Sequence, residues 1–252
     1  MQERGRGIGM RFSSLVAIGT ASLLTACATP APPLSPPAPP PSPMAVYEAS
    51  IRDAAIKQPA DLEARLNPIT AKNVEVASWS YDLDSHSVGK QVRTLGADVW
   101  VTTVPELKRR CAGLTGSALS LRLQQLLGLP PGDASERKIF TFTVRSADVF
   151  RPCADPRITT TSCTLDVPDS RHVGLTDETA AAHLRFVLQQ MLSSYRVGFE
   201  QPGYPFTALG YTYDWKPDSE THHVGLSEYV VRRGAIVHDV HEIDTADYCA
   251  KP

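Results

Sequence analysis

Four histidines near the end of the chain are candidates for holding a metal ion: His222, His223, His238 and His241. Side chains alternate between the two faces of a strand, so if residues 235–243 are a strand, His238 and His241 point to opposite sides. A zinc site made from Cys153, Cys163 and His172 would lack the close ligand pairs that such sites use. With no glycine-rich phosphate loop either, the sequence predicts no metal site and no cofactor.

The same region holds side chains that can do general acid–base chemistry, namely Asp214, His223, Glu228 and Asp239. Catalysis requires such groups within hydrogen-bond reach of the reacting atoms, and the sequence selects these four by type alone. Ser227, in "GLSEY", lacks the second glycine of a nucleophile elbow and is better interpreted as a turn or strand-edge hydroxyl. A hydrolase acting on cell-wall or polysaccharide material is therefore the alternative function, and a non-enzymatic role is favoured.

A row of aromatic residues is a candidate binding surface. Tyr211, Tyr213 and Trp215 are spaced two apart, so they line one face of an extended segment. If exposed, they form a platform for sugar rings or a partner protein. If buried, the same row is core beneath a long loop, and the sequence leaves both interpretations open.

The stretch "VFRPCADPRITTTSC" is a second candidate binding region, because two prolines and two cysteines would pin a threonine-rich loop. Arg151 and Arg157 in this loop are candidates for holding an anionic group. The alternative is that they are ordinary surface arginines beside a structural disulfide.

The chain contains five cysteines, and the odd count needs an explanation in an exported protein. If Cys27 is set apart, Cys111, Cys153, Cys163 and Cys249 remain, an even number for an oxidising compartment. Four cysteines allow three pairings. Proximity in the sequence favours Cys153 with Cys163, which leaves Cys111 with Cys249.

The beginning of the chain has the layout of an export signal: three arginines, the apolar run "FSSLVAIGTASLL", and then small residues. The run is too short to span a bilayer of about 30 Å as a helix. Its end, Leu24-Thr25-Ala26-Cys27, resembles the lipobox of bacterial lipoproteins. The resemblance implies cleavage before Cys27 and acylation of that residue, palmitate included, with Ala28 indicating the outer membrane. An ordinary cleaved signal with an unrelated cysteine is the alternative.

Residues 28–43 contain nine prolines in sixteen positions, so we expect a disordered, polyproline-type linker. The predicted organisation is a signal peptide over residues 1–26, the lipidated cysteine and linker over 27–43, and one globular domain over 44–252. The domain would face the periplasm from a membrane anchor. Its possible partners are peptidoglycan or an envelope protein.

The elements of the domain mix both periodicities. "NVEVASWSY", "ADVWVTTV" and "KIFTFTVR" are typical of strands, and "EYVVRRGAIVHDV" predicts a hairpin turning at Arg233 and Gly234. "TDETAAAHLRFVLQQMLSSY" predicts a helix capped at Thr176. We expect one face of this helix to be buried, formed by Leu184, Val187, Leu188, Met191, Leu192 and Tyr195. The intermixed strands and helices predict an α+β fold with a mainly antiparallel sheet and packed helices.

Composition sets the remaining limits. The chain has 252 residues, is 42% hydrophobic, and carries a formal net charge of −2 without blocks of like charge. It therefore lacks the basic patch that nucleic-acid binding requires. The sequence predicts a lipid-anchored envelope protein with a disulfide-stabilised binding or structural domain, and it does not identify the ligand.

Overall fold

The computed structural model describes residues 39–83 and 92–250. Within these ranges the helices are α1 (Pro43–Ala54), α2 (Val104–Cys111), α3 (Gly116–Leu126), α4 (Asp177–Ser194) and α5 (Thr245–Cys249). The strands are β1 (Asn73–Ser80), β2 (Val92–Thr94), β3 (Val99–Thr103), β4 (Lys138–Arg145), β5 (Val149–Phe150), β6 (Tyr211–Tyr213), β7 (Val224–Ser227), β8 (Tyr229–Val231) and β9 (Ile236–Ile243). The predicted signal peptide, Cys27 and most of the proline-rich linker lie outside the described residues.

Seven of these strands form one sheet in the order β2-β9-β4-β1-β3-β8-β5, and β6 pairs with β7 separately. Every pairing between described strands is antiparallel. This confirms the predicted α+β fold with a mainly antiparallel sheet.

β1 and β4 form the long central pair of the sheet. Both faces of this pair are buried. Val76 lies opposite Phe142, and both belong to an apolar cluster that also includes residues of β8 and β9. Ala77 and Ile139 alternate onto the other face, where they contact a second cluster supplied by α2, α3 and α5. Because both faces are covered, apolar residues occur at consecutive positions along these strands.

The connection between β8 and β9 shows that the sheet is curved. The two strands are not paired with each other, since three strands lie between them, and the predicted hairpin at Arg233 and Gly234 is therefore wrong. In a flat sheet four strand spacings would separate them by about 19 Å, whereas five residue steps span about 17 Å fully extended. Tyr229 of β8 and Val237 of β9 nevertheless share one apolar cluster. The sheet curls around this cluster.

Two of the described helices, α1 and α4, begin at residues whose side chains cap them. The Thr176 hydroxyl accepts a hydrogen bond from the Thr179 N–H at the start of α4, and Asp177 and Glu178 follow in the first turn, where acidic residues are favourable. Ser42 caps α1 in the same way, and Pro43 occupies its first turn. The last residue assigned to the linker thus already belongs to a helix.

A β-bulge changes the expected positions of two histidines in β9. The register with β4 shifts between Thr141 and Thr143, and Asp239 has a φ of 52°. The extra residue reverses the alternation. His238 and His241 are consequently both exposed, while Val237 and Val240 are both buried in the first cluster, so the expectation that the two histidines point to opposite faces is wrong.

Candidate functional site

The four cysteines outside the signal region form two disulfides. Cys111 is bonded to Cys249, and Cys153 is bonded to Cys163. The pairing that sequence proximity favours is therefore confirmed. Since each sulfur makes a single disulfide, Cys27 has no cysteine left within the chain with which to pair.

The aromatic row is buried. Tyr211, Tyr213 and Trp215 are 5%, 7% and 2% exposed. The Trp215 indole N–H donates to backbone carbonyls at the end of α3, and the Tyr213 hydroxyl donates to an Asp53 carboxylate oxygen at 2.7 Å. This corrects the exposed-platform interpretation: the row packs as core because its polar atoms find partners inside the protein.

The two loop arginines, Arg151 and Arg157, also bond to other groups of the protein. Arg151 is fully buried, and its guanidinium donates to the carbonyls of Asn67 and Thr160 at 3.1 and 2.9 Å. Burial lowers the pKa of Arg151. Arg157 makes a two-pronged ion pair with Asp155, with Nη2 at 2.7 Å from Oδ2 and Nε at 3.0 Å from Oδ1. This corrects the anion-binding interpretation for Arg151, whose guanidinium is buried, whereas Arg157 matches the alternative of a surface arginine beside the disulfide.

Among the acid–base candidates, Asp214 and His223 have internal partners. The Asp214 carboxylate accepts hydrogen bonds from Arg122 at 2.7 and 2.6 Å. Nδ1 of His223 lies 2.8 Å from the Asp214 carbonyl, and its ring stacks on Tyr213. Asp239 lies at the exposed bulge of β9. Only Glu228 lines a large cavity.

This cavity has a volume of about 660 Å³, within the usual range for small-molecule sites. It is bounded by the second face of the sheet, the end of α3 and the end of α4. Its aromatic wall consists of Trp79, Tyr81, Trp100, Tyr204, Phe206 and Tyr213. Trp100 and Phe206 meet edge to face, with ring centroids 5.7 Å apart.

Strand alternation explains why Glu228 belongs to the cavity wall. Val230 of β8 lies opposite Trp100 of β3, so the two side chains share one face of the sheet. Glu228, two residues before Val230, falls on the same face. Its backbone N–H donates to the Gly210 carbonyl at 2.9 Å, which fixes the chain just before β8 begins.

The carboxyl group of Glu228 is chemically unusual. It makes no hydrogen bond and no ion pair with any residue of 39–83 or 92–250. Burial alone raises the pKa of Glu228 from 4.5 to about 8, because a carboxylate with little water around it is unfavourable. At neutral pH this side chain is mainly protonated. A strongly perturbed carboxyl group in a cavity is a typical mark of a functional site.

Three of the other charged groups that line the cavity, Arg137, Arg196 and Asp98, differ from Glu228, while a fourth, Asp82, is exposed. Arg137 donates to the Trp79 carbonyl at 2.9 Å and lies over the ring of Tyr81, with Cζ 4.3 Å from the centroid. Arg196 donates to the Ser193 carbonyl. Asp98 accepts from the backbone N–H of Arg233. These side chains have partners in the protein.

A smaller cavity of about 350 Å³ lies beside α1 and contains His222, His223, Asp53, Asp61 and Asp218. The Asp53 carboxylate is already bonded to the Tyr213 hydroxyl. In the part of the chain that the structure describes, no three His, Cys, Asp or Glu side chains are grouped so that they could hold a metal ion.

Comparison with known proteins finds no family model, no curated protein and no solved structure that matches this chain. None of the helices in the described ranges is long and apolar enough to cross a membrane.

Sequence reasoning included Glu228 among four candidates but missed the cavity. The alternation in "SEYVV" was the available signal, since it places Glu228 and Val230 on one face of a strand. Trp79, Trp100 and Phe206 come from distant parts of the chain, and only the tertiary fold brings them to that face.

Proposed function

We propose that this chain is a lipid-anchored cell-envelope protein whose folded domain binds a small ligand in the cavity beside Glu228. The observation that carries the binding role is a carboxyl group with no partner among the described residues, in the wall of an aromatic cavity of ligand size. A half-buried carboxyl group of raised pKa in a cavity, without a partner among the described residues, is a candidate for a functional role.

The proposal of a lipid anchor is supported by the lipobox-like sequence and by the pairing of the other cysteines. The two disulfides consume the four other cysteines, so Cys27 is left for a different chemistry. A triacylated cysteine would hold the protein on its membrane, since two acyl chains already give stable anchoring. The proline-rich segment would then separate the domain from the bilayer.

The hydrolase alternative has less support. Acid–base hydrolysis needs a second group placed next to the acid. Asp214 and His223 are bonded elsewhere, and Asp239 lies on β9 outside the cavity wall. Glu228 therefore stands apart from the other three candidates, which favours binding over catalysis.

Substitution of Cys27 tests the anchor. We expect Cys27→Ser, expressed as the full precursor, to move from the membrane fraction to the soluble fraction because it cannot be acylated. Thr29→Ser, just outside the four-residue motif, is the control and stays with the membrane. Membrane association of Cys27→Ser, or a mature chain that begins at another residue, would exclude the anchor.

Two tryptophans report on the cavity. Trp79 and Trp100 line it, so their indole N–H signals in an NMR titration provide two probes. We expect a small neutral aromatic such as 2-phenylethanol to shift the Trp79 and Trp100 signals. If neither cavity signal responds at millimolar concentration, the cavity does not bind ligands of this size.

A further inference from the structure

Resting on the proposed function, we infer that the natural ligand is an organic cation: an apolar or aromatic body carrying a protonated amine that pairs with the carboxylate of Glu228.

The cavity lacks a positive charge at Glu228. No neighbouring cation moves its pKa, which is raised by burial alone. Arg137 and Arg196 line the same cavity, but neither pairs with Glu228: Nη1 of Arg137 donates to the Trp79 carbonyl and Nε of Arg196 donates to the Ser193 carbonyl. A ligand ammonium group would give the half-buried carboxylate the counter-ion that the described residues do not provide, and an anionic ligand would be repelled by it.

The aromatic wall suits the same class of ligand. Ring faces attract cations electrostatically, and ring edges and aliphatic carbons pack against an apolar body. The protein already places one cation in this way, since Arg137 lies over both Trp79 and Tyr81. The same cavity is also lined by the half-buried ring of Trp100 and by the exposed ring of Tyr204.

Binding of an amine would displace one proton. The empty site holds Glu228 in its neutral form, and the bound site holds the carboxylate against the ligand ammonium. Ligand and carboxyl group together thus release one proton to solvent. Affinity should therefore rise by up to about tenfold per pH unit as the pH approaches 8, and level off above it.

Other ionisable side chains also face the cavity: Tyr81, Asp82, Asp98, Arg137, Arg196, Tyr204 and Tyr213. A pH dependence that Glu228→Gln abolishes is assigned to Glu228 rather than to one of these groups.

The test compares two probes of the same shape, 2-phenylethylamine and 2-phenylethanol, by calorimetry and by the tryptophan signals of the full mature chain carrying Cys27→Ser. We expect the amine to bind roughly tenfold or more tightly than the alcohol, with one proton released at pH 6. Glu228→Gln keeps the shape of the protonated acid and cannot ionise, so we expect it to lose that preference. Glu220→Gln makes the same change at an exposed position and should retain it.

The outcomes separate this inference from the proposed function. Equal binding of amine and alcohol, or an amine preference that survives Glu228→Gln, overturns the cation inference and leaves a cavity that binds neutral ligands. Failure of both probes to shift the Trp79 and Trp100 signals overturns the cavity as a binding site as well. Retention of the Trp215 signal in each variant shows that the fold is intact.

Discussion

At the residue scale, two ionisable side chains respond differently to being shielded from water: Arg151 is fully buried and Glu228 is half-buried. The Arg151 guanidinium donates hydrogen bonds to backbone carbonyls, including those of Asn67 and Thr160, and it lies over the Tyr229 ring. Charged donors with several acceptors tolerate burial. Glu228 has no such donors among the described residues, and its carboxyl group responds by retaining a proton. The arrangement of Arg151 is typical of a structural residue. That of Glu228 is typical of a residue that binds a ligand.

Glu228 should make the stability of the unliganded protein depend on pH. Its pKa is 4.5 when exposed and about 8 in the fold, so between these values the folded state binds more protons than the unfolded state. The free energy of unfolding should therefore fall as the pH rises, by up to about 1.4 kcal/mol per pH unit, and become level above about 8. Urea unfolding at several pH values measures this slope.

Glu228→Gln removes the titrating group and should remove this part of the slope, whereas Glu220→Gln should not. The difference between wild type and Glu228→Gln isolates the effect from other titrating groups, such as His183, whose pKa burial lowers. Parallel pH profiles for wild type and Glu228→Gln would show that the carboxyl group is already ionised in the fold.

At the element scale, α4 packs with a different face from the one that its apolar residues predict. Val187 is 3% exposed, but Leu188 and Leu192 are 49% and 82% exposed. His183 is turned inward instead, and its Nε2 lies 2.7 Å from the Cys153 carbonyl. Because a carbonyl oxygen only accepts, this nitrogen carries the hydrogen. A polar contact near the disulfide thus helps to orient the helix.

The orientation of α4 predicts an unusual order of substitution effects. Val187→Ala should cost about 2 kcal/mol of unfolding free energy, because it removes two buried methyl groups and leaves a void. Leu192→Ala removes more apolar surface but should change stability by less than about 0.5 kcal/mol, since that surface is already exposed. Chemical denaturation of both variants measures the order, and a larger loss for Leu192→Ala would contradict this helix orientation.

At the scale of the whole molecule, the two disulfides constrain very different lengths of chain. Cys111–Cys249 links α2 to the end of α5 across 138 residues, and Cys153–Cys163 closes a loop of 10. In the chain-entropy model a longer loop gives a larger stabilisation, because more conformational freedom is removed from the unfolded state. The long link also ties the C-terminal helix to the core behind the sheet.

Removing the disulfides one at a time should reproduce this difference. We expect Cys111→Ala/Cys249→Ala to lose about 5 kcal/mol and Cys153→Ala/Cys163→Ala about 3 kcal/mol under non-reducing conditions. Urea unfolding of the two double variants measures the losses, with fully reduced wild type as the reference without either link. A greater loss from the short loop would show that local contacts, rather than chain entropy, dominate.

Much of this architecture is encoded locally. Alternation in "KIFTFTVR", the Thr176 cap and the proline and glycine boundaries predict β4, α4 and the α+β class correctly, because periodicity and capping act over a few residues. Counting the cysteines and their proximity also predicts both disulfides. Cys27 and its lipid remain predictions, since they depend on residues outside the described ranges.

Other features were decided only by the tertiary fold. The bulge at Asp239, the rotation of α4 and the burial of Tyr211, Tyr213 and Trp215 each depend on which surface packs against which. The cavity is the clearest example, because it is formed between the sheet and the ends of two helices by residues distant in the chain. The sequence shows that residue 228 is a glutamate. Only packing determines how much water surrounds its carboxyl group, and hence whether that group carries a charge.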